Sequence, residues 1–352
     1  MTENKLINAD SFEHLKTVAD NSVDHIITDP PYDISFMNKK WDKDSVVSNP
    51  AFWKECLRVL KPGGYLLAFG HSRTSHRQTA AIEDAGFDIR DTIMWLYGSG
   101  FPKSHNVGKA VDASIKTGKS NPKALREIEQ ASAGKPYKLK GKNNGILGET
   151  VVWDRKEYNC ENEWAGWGTA LKPAYEPVVM ARKPLEGTVA DNVLEYGTGA
   201  LNIDACRVGE DEVTINRWTD GSKPFGNGSG HPYKTVSVAG RWPANVILDE
   251  ASGNVLDSQM QGASRFFYSP KVSKKERGAT NSHPTVKPMA LMEYLIKLVS
   301  KEGQLILDPF AGSGSTGVAC VNLNRKYILI ERDDGYYEIM QSRLAATLQD
   351  EV

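Results

Sequence analysis

Short apolar runs alternate with amphipathic segments over the first hundred residues of the chain. The runs at residues 23–28, 65–69 and 87–96 are bounded by turn-forming residues, which is typical of buried β-strands. Between the first two, residues 50–60 repeat apolar side chains at helical spacing and end at Lys61-Pro62-Gly63-Gly64, which stops a helix. This alternation predicts an α/β fold, in which a doubly wound parallel sheet carries its sites at the carboxyl ends of the strands.

The same alternation returns at the end of the chain after a long irregular middle. Apolar runs at residues 305–308 and 327–330 predict two strands, with a helix between them. In the middle, residues 177–181 have the pattern of a strand. We therefore expect two halves of one sheet with inserted segments: residues 1–98 as the first half, 99–169 as an insertion, 170–185 as a core strand, 186–282 as a separate loop-rich module and 283–352 as the second half.

Composition excludes several classes of protein. Hydrophobic residues make up 40% of the 352 and no apolar run reaches membrane-spanning length, so we expect a globular, cytoplasmic protein without a membrane segment. The N-terminal residues lack the basic-then-apolar order of a signal peptide. The four cysteines lie far apart and form no metal-type pair, so we expect reduced thiols and no bound metal.

The formal net charge of −1 conceals a basic segment. Residues 98–150 hold ten Lys or Arg against four Asp or Glu, so this segment carries +6 and the rest of the chain −7. Such a segment is either a solvated insertion or a binding surface for a polyanion such as nucleic acid. Charge alone does not distinguish these two interpretations. The candidates for phosphate contacts are Lys103, Lys109, Lys116, Lys119 and Lys123, together with a later basic run of Lys271, Lys274, Lys275 and Arg277.

The stretch Asp29-Pro30-Pro31-Tyr32 follows the strand predicted at residues 23–28. Because neither proline can donate a backbone hydrogen bond, the strand must end there and the turn is stiff. The stretch offers two acceptors, the Asp29 carboxylate and the Pro30 carbonyl, beside the flat ring of Tyr32. An exocyclic amine on a planar base has two N–H donors and a π-face, so these residues match it. The alternative is a strand-ending turn with a surface tyrosine.

A glycine-rich turn follows the strand predicted at residues 305–308. Residues 308–316 run from that strand into a helix, and glycines at such a turn let the backbone approach a ligand closely. No lysine follows the glycines, so the turn is not a P-loop. The next strand ends on Glu331, the position at which a strand–helix–strand unit holds a ribose diol. The alternative is an ordinary strand–helix crossover.

These motifs together resemble those of the DNA amino-methyltransferases that use S-adenosylmethionine (AdoMet). Residues 21–32 are similar to the catalytic motif of that family, residues 307–316 to its cofactor loop, and residues 283–288 to the segment before that loop. The order, with the catalytic motif first, resembles the circularly permuted β class. Ala174-Tyr175-Glu176 stands where the family often has Ala-His-Glu and departs from it at the second position. The resemblance implies a Rossmann-like methyltransferase sheet.

The resemblance also implies roles for individual residues. In the catalytic set, Asp29 and Pro30 would accept the target amine, Pro31 would belong to the same turn, and Tyr32 would stack on a flipped-out base. Lys287 would lie near the methionine part of AdoMet, with an exposed strand-end lysine as the alternative. The cofactor residues expected from the resemblance, with Asp10 near the adenine and Glu331 on the ribose, are Asp10, Lys287, Asp308, Phe310, Ala311, Gly312, Gly314, Ser315 and Glu331.

The implied activity is methyl transfer to N6 of adenine in double-stranded DNA, as in restriction–modification. Aspartate first in the catalytic motif favours adenine in this family, and cytosine N4 is the alternative. A protein or RNA methyltransferase usually has asparagine there, and the intact Asp308 and Glu331 disfavour a DNA-binding module with an inactive cofactor fold. Residues 99–169 would contact DNA and residues 186–282 would recognise the target. A homodimer and a cognate restriction endonuclease are left open as partners.

Overall fold

The computed structural model describes residues 4–34, 46–98, 100, 104–118, 137–139, 150–152, 160, 162–218, 233–269 and 287–350. The chain divides into two compact units. One consists of residues 1–99 together with 174–352, and the other of residues 100–173.

An eight-stranded sheet forms the centre of the larger unit. Its strands, in spatial order, are β1 (Lys5–Asn8), β12 (Lys326–Glu331), β11 (Leu305–Asp308), β2 (His25–Thr28), β3 (Tyr65–Phe69), β7 (Tyr175–Arg182), β4 (Asp88–Leu96) and β10 (Val246–Leu248). All neighbours pair in parallel except β7, which runs antiparallel to both β3 and β4. The prediction of an α/β fold is confirmed, and the predicted parallel sheet is mainly parallel, with β7 as the departure. The first and last parts of the chain pair within it, β1 with β12 and β2 with β11.

Helices cover both faces of this sheet. One face packs against α1 (Ser11–Leu15), α2 (Pro50–Val59) and α3 (Ser75–Asp84), and the other against α7 (Met289–Val299), α8 (Ser315–Asn322) and α9 (Asp334–Asp350). Because side chains alternate along a strand, Ile26 of β2 enters the first core and Ile27 the second. The hydrophobic run of β2 therefore serves two cores at once, as expected for a doubly wound sheet.

The strands and helices predicted in the two halves are present, with shifts at their ends. The strand predicted at residues 23–28 begins at His25, and the helix predicted at residues 50–60 ends at Val59. The helix starts where expected because Asn49 caps it by accepting a hydrogen bond from Ala51 N, with Pro50 at its first position. The strand predicted at residues 177–181 is longer, as β7.

Residues 186–282 differ from the expected separate, loop-rich module. Their described part contains α5 (Val189–Tyr196), a hairpin of β8 (Val208–Trp218) and β9 (Tyr233–Arg241), the strand β10, and α6 (Glu250–Gln259). Strand β10 joins the edge of the main sheet beside β4, and its Ile247 is fully buried. A strand of three residues is too short to show a hydrophobic period, which is why the sequence pattern did not reveal it.

The smaller unit contains α4 (Val107–Thr117) and a hairpin of β5 (Tyr137–Leu139) and β6 (Thr150–Val152). Asn162 ties the chain to α4, because its Nδ2 donates to the Gly108 carbonyl at 3.0 Å and to Asp112 Oδ1 at 2.8 Å. The candidate DNA contacts Lys109 and Lys116 lie on α4. Those outside the described residues are Lys103, Lys119, Lys123, Lys271, Lys274, Lys275 and Arg277.

Candidate active site

The loop after β2 is held in shape by its own side chains. All four residues of β2 are buried, and Pro30 and Pro31 cannot continue its hydrogen bonding. Tyr32 Oη donates to Asp29 Oδ1 at 2.6 Å, and Thr74 Oγ1 donates to the Tyr32 carbonyl at 2.7 Å. The Asp29 carboxylate and the Tyr32 ring are therefore fixed relative to each other at the carboxyl end of the sheet.

Two residues from distant parts of the chain complete a charged cluster with Asp29 and Tyr32. Lys287 Nζ lies 2.8 Å from Asp29 Oδ2 and 2.9 Å from Glu176 Oε2. It also donates to Tyr32 Oη at 3.0 Å. The Tyr32 hydroxyl in turn lies 3.3 Å from Glu176 Oε2. We refer to Asp29, Tyr32, Glu176 and Lys287 as the pocket cluster.

Aromatic rings surround the ammonium of the pocket cluster. Lys287 Nζ lies 4.8 Å from the centroid of the Phe69 ring and 5.5 Å from that of Tyr32. Both distances allow the ring quadrupoles to attract the cation. The imidazole of His71, in the loop after β3, lies 6.1 Å from the Tyr32 ring. The cluster is therefore polar at its centre and aromatic around it, which suits a flat, amine-bearing ligand.

Burial and charge together fix the protonation states of Tyr32 and Lys287. Burial raises the pKa of Tyr32 well above its usual value, and the neighbouring Asp29 and Glu176 carboxylates raise it further. Burial opposes the charge on Lys287, but the same two carboxylates outweigh it and raise the pKa of the ammonium. At neutral pH the tyrosine is therefore a neutral hydroxyl and the lysine a cation.

Lys287 and Glu176 show where sequence reasoning was incomplete. The alternative of an exposed strand-end lysine is wrong, because the Lys287 side chain is only 7% exposed. Its ammonium contacts the loop after β2 and Glu176, whereas the family resemblance implied a position near the methionine part of AdoMet. Glu176 was not among the predicted site residues. The signal that could have found it is the Ala174-Tyr175-Glu176 stretch, which resembles a family motif.

Asp308, the last residue of β11, turns into the protein. Its carboxylate accepts hydrogen bonds from Thr28 Oγ1 at 2.7 Å, from Thr316 Oγ1 at 2.5 Å and from Phe310 N at 3.0 Å. Burial raises the pKa of this carboxyl group to about 6, although the three hydrogen bonds favour the charged form. Asp308 thereby joins the end of β2 to both sides of the glycine turn.

The glycine turn has the backbone that its sequence suggests. Gly312 and Gly314 both adopt positive φ, at 53° and 81°, and a Cβ on Gly314 would lie 2.7 Å from Met340 Cγ. Gly312 N donates to Glu331 Oε2, and Asp333 N donates to Glu331 Oε1, each at 2.8 Å. Burial raises the pKa of Glu331. Each oxygen of this carboxylate can accept one further hydrogen bond.

The start of α1 adjoins the same turn. Asp10 caps α1 by accepting hydrogen bonds from two backbone N–H groups, and the hydroxyl of Ser11 donates to the Pro309 carbonyl. The Phe310 ring packs at 5.2 Å from the ring of Phe52. The structure therefore brings most of the predicted residues into two groups at the carboxyl ends of the strands. The pocket cluster is one, and the turn group is the other: Asp10, Asp308, Phe310, Ala311, Gly312, Gly314, Ser315 and Glu331. Glu176, which was not predicted, joins the pocket cluster, and Pro30 and Pro31 belong to the loop that carries Asp29 and Tyr32.

Within the described ranges, no helix has the length and apolar character needed to cross a membrane. The same residues contain no group of three or more His, Cys, Asp or Glu side chains arranged to hold a metal ion.

Comparison with known proteins adds a family and several relatives. The model of the N6/N4 methyltransferase family, described as DNA methylase, matches residues 23–342. The Type II methyltransferase M.HindIII of Haemophilus influenzae is 24% identical over 383 aligned residues, covering 96% of this chain and 94% of the relative. The Type II methyltransferase M2.DpnII of Streptococcus pneumoniae is 44% identical over 75 residues, covering 21% of this chain and 28% of the relative.

Solved structures of similar shape were also found. The M1.HpyAVI–SAM complex aligns over 97% of this chain and 98% of its own, with a TM-score of 0.45 and 19% identity. The cytosine-N4-specific PvuII DNA methyltransferase aligns over 99% of this chain and 93% of its own, with a TM-score of 0.48 and 14% identity.

Proposed function

The chain belongs to the N6/N4 family of DNA methylases, and from that premise we propose that it transfers a methyl group from AdoMet to N6 of a flipped-out adenine in duplex DNA. One observation carries the proposal. The catalytic loop and the glycine turn leave the neighbouring strands β2 and β11, and the 2.7 Å hydrogen bond from Thr28 to Asp308 joins them at their base. A base at the first loop would therefore face a methyl donor at the second.

Asp29 and Pro30 have the chemistry needed to activate an aromatic amine. Such an amine is a poor nucleophile because its lone pair is delocalised into the ring. After its bonds to Tyr32 and Lys287, the Asp29 carboxylate keeps acceptor capacity on each oxygen. Accepting N–H bonds there and at the Pro30 carbonyl favours a pyramidal nitrogen with a localised lone pair. Positive charge develops on that nitrogen during transfer, so the carboxylate stabilises the transition state more than the ground state.

The residues around the glycine turn fit AdoMet, which supplies an electrophilic methyl group on a positively charged sulfur. The Glu331 carboxylate can accept hydrogen bonds from a ribose diol, and the backbone at Gly312 and Gly314 allows a ligand to approach closely. The ring of Phe310 offers an apolar contact. We propose that Asp10, Ala311 and Ser315 line the same site and that Asp308 supports it from beneath.

We further propose that the sheet is circularly permuted in the manner of the β class. The support is the order of the motifs: the catalytic loop follows β2, the cofactor turn follows β11 near the other end of the chain, and yet these strands are neighbours. In this proposal residues 1–98 form the catalytic half and residues 283–352 the AdoMet-binding half. The strand within 170–185 completes the core between them.

The insertion at residues 99–169 is proposed to grip duplex DNA, and residues 186–282 to recognise its sequence. Support comes from the net charge of +6 over residues 98–150 and from α4, which carries Lys109 and the exposed Lys116. In a salt titration of DNA binding, we expect Lys109→Ala with Lys116→Ala to lower the log–log slope by about two. An unchanged slope would favour the solvated insertion instead.

Two further partners are proposals. The relatives named as Type II methyltransferases favour a cognate restriction endonuclease that cuts the sequence this enzyme protects. The second proposed partner is another copy of the chain, as a homodimer. Sedimentation with and without DNA measures the oligomeric state directly.

Methylation of duplex DNA with labelled AdoMet, followed by nucleoside mass spectrometry, tests the proposed function. We expect N6-methyladenine, with Asp29→Ala as the inactive control. N4-methylcytosine would establish the alternative substrate, and label transferred only to RNA or protein would contradict the proposal. Sequencing of modified bases in DNA from cells that express the protein would then give the recognition sequence.

A further inference from the structure

The Asp29 carboxylate is anchored on both of its oxygens. The Tyr32 hydroxyl donates to Oδ1 at 2.6 Å, and the Lys287 ammonium lies 2.8 Å from Oδ2. Tyr32 also accepts from Lys287 at 3.0 Å, so the three side chains form a closed ring of contacts. A carboxylate held at both oxygens cannot rotate freely, and its remaining acceptor positions keep one direction.

Lys287 has a second anchor of its own. Its ammonium lies 2.9 Å from Glu176 Oε2, so it sits between two carboxylates that come from separate parts of the chain. The Lys287 side chain is 7% exposed, and the Asp29 and Glu176 side chains are 22% and 19% exposed. With the lysine present the cluster carries a net charge of −1. Without it, two largely buried carboxylates would face each other without a cation, and one would tend to take up a proton.

We propose that Lys287 is a positioning residue for Asp29, fixing its carboxylate and keeping it ionised, and that Glu176 holds the ammonium in place for that purpose. The proposal rests on the proposed function, because Asp29 acts there as the acceptor of the target amine. It assigns Lys287 to the catalytic loop in place of the methionine part of AdoMet. It also gives Glu176 a role through Lys287 without contact to the reacting atoms.

Other titratable groups face the cluster from neighbouring elements. Tyr97 follows β4 and interacts with Glu176 and Lys287, while Asp308 at the end of β11 interacts with Asp29. His71 stands beside the Tyr32 ring. These groups stay in place in every variant below, so differences between variants report on Lys287 and Glu176.

The test is the pH dependence of the single-turnover methylation rate, with saturating AdoMet and duplex DNA between pH 5 and 9. On the acid side of the profile the rate falls as the pH is lowered, and we call this fall the acid limb. In Lys287→Met we expect the midpoint of the acid limb to rise by at least about one pH unit, because Asp29 loses its cation. In Glu176→Gln the limb should stay or move down, because a negative neighbour is lost. In the double variant Lys287→Met with Glu176→Gln, the net charge of the cluster is again −1. Its acid limb should therefore lie at least half of the way back from the Lys287→Met value to that of the wild type.

Two controls separate positioning from a general loss of charge. Lys61→Met removes the partner of Asp24, an ion pair of 2.7 Å that also has one buried member, and should leave the limb in place. Lys287→Arg keeps the positive charge and should hold the limb within about half a pH unit of the wild type, even if the rate falls. A displaced limb in Lys287→Arg, or an unmoved limb in Lys287→Met, overturns the proposal.

Calorimetry of AdoMet binding decides between the two roles of Lys287. We expect the Kd of Lys287→Met to stay within about threefold of the wild type. A tenfold weaker Kd with an unmoved acid limb would assign Lys287 to the cofactor. If Lys287→Met does not fold, Lys287→Arg still decides, because a displaced acid limb in that variant overturns the proposal.

Failure of the proposed function would be distinguishable. If the wild type does not methylate DNA, the free energy of unfolding can be measured against pH instead. Relative to the wild type, Lys287→Met should lose stability as the pH rises from 5 to 8, because the uncompensated carboxylates bind protons more tightly in the folded state than in the unfolded state. Parallel curves for the two proteins would overturn the inference even then.

Discussion

The loops after β2 and β11 both contain an Asp-Pro step, Asp29-Pro30 and Asp308-Pro309, but the two aspartates lie in different environments. Asp308 is the last residue of β11 and is 2% exposed, with its carboxylate accepting from two threonine hydroxyls and one backbone N–H. Asp29 is the first residue after β2, its side chain is 22% exposed, and each of its oxygens can accept one further hydrogen bond. One residue past the strand end thus separates the enclosed Asp308 carboxylate from the more exposed Asp29 carboxylate, to which we assign the reaction.

The two carboxylates are also stabilised differently. Asp308 has neutral donors, none of the ion pairs among the described residues includes it, and burial raises its pKa to about 6. Asp29 has the Lys287 ammonium at 2.8 Å. A nearby cation favours the charged form of a carboxylate, and hydroxyl donors satisfy its hydrogen bonds without adding charge. The comparison predicts that substitutions at Asp29 affect rate and that those at Asp308 affect stability.

The largest effect is expected at Asp29. In Asp29→Ala we expect the rate of methyl transfer to fall by about 10³-fold, roughly 4 kcal/mol, because the transition state loses its carboxylate. AdoMet affinity by calorimetry and the circular dichroism spectrum should match those of the wild type. A rate within about threefold of the wild type would contradict the amine-acceptor role, and loss of the folded spectrum would favour the strand-ending turn.

At Asp308 the expected effect is on stability and depends on pH. A folded-state pKa of about 6, above the ordinary 3.8, contributes stability that is fully present below 3.8 and is lost as the pH rises through 6. Asp308→Asn removes this loss, so between pH 4 and pH 7 the variant should gain roughly 2 kcal/mol relative to the wild type. Urea denaturation at several pH values measures the gain. The exposed Asp84→Asn is the control, and parallel curves for Asp308→Asn and wild type would contradict the account.

The strands and both loops could be predicted because their signals are local. Apolar runs of four to six residues bounded by Pro or Gly mark β2 and β11, and the Asp-Pro steps follow them directly. The pattern also identified the turn at Gly312 and Gly314, whose positive φ the structure shows. What local pattern could not give was which aspartate faces inward, because Thr28 and Thr316 decide that through contacts across the sheet.

The contacts that bring Lys287 and Glu176 to Asp29 could not be predicted for the same reason. Lys287 reaches Tyr32, in the loop after β2, across 255 residues of sequence, and no periodicity connects the two. Glu176 lies on the one antiparallel strand of the sheet, whose direction the strand pattern did not reveal. Such contacts follow from the order of strands in space, which the hydrophobic pattern leaves undetermined.

Glu331 provides a test of the turn without touching the catalytic loop. In Glu331→Ala we expect AdoMet binding to weaken by about 2 kcal/mol, because a buried ribose diol would lose its acceptor and Gly312 N its partner. Calorimetry measures the change, and the shape of the pH–rate profile should not alter. Unchanged AdoMet affinity would contradict the placement of the ribose beside β12.

The smallest effect is expected from removing a single oxygen at Tyr32. Tyr32→Phe keeps the ring on which the base would stack but deletes the hydroxyl that donates to Asp29 at 2.6 Å and accepts from Lys287 at 3.0 Å. Asp29 keeps its stronger contact, the charge-assisted one with the Lys287 ammonium. We therefore expect the methylation rate to fall only about fivefold, roughly 1 kcal/mol.

The pH–rate profile sharpens this last prediction. Because the pKa of the Tyr32 hydroxyl is raised well above its usual value, that group stays neutral up to pH 9 and contributes no limb of its own. The profiles of Tyr32→Phe and wild type should therefore have the same shape between pH 5 and 9 and differ only in height. Tyr32→Ala, which also removes the ring, should cost more in rate than Tyr32→Phe. Equal losses in the two variants would mean that the hydroxyl, and not stacking on the ring, is what the reaction uses.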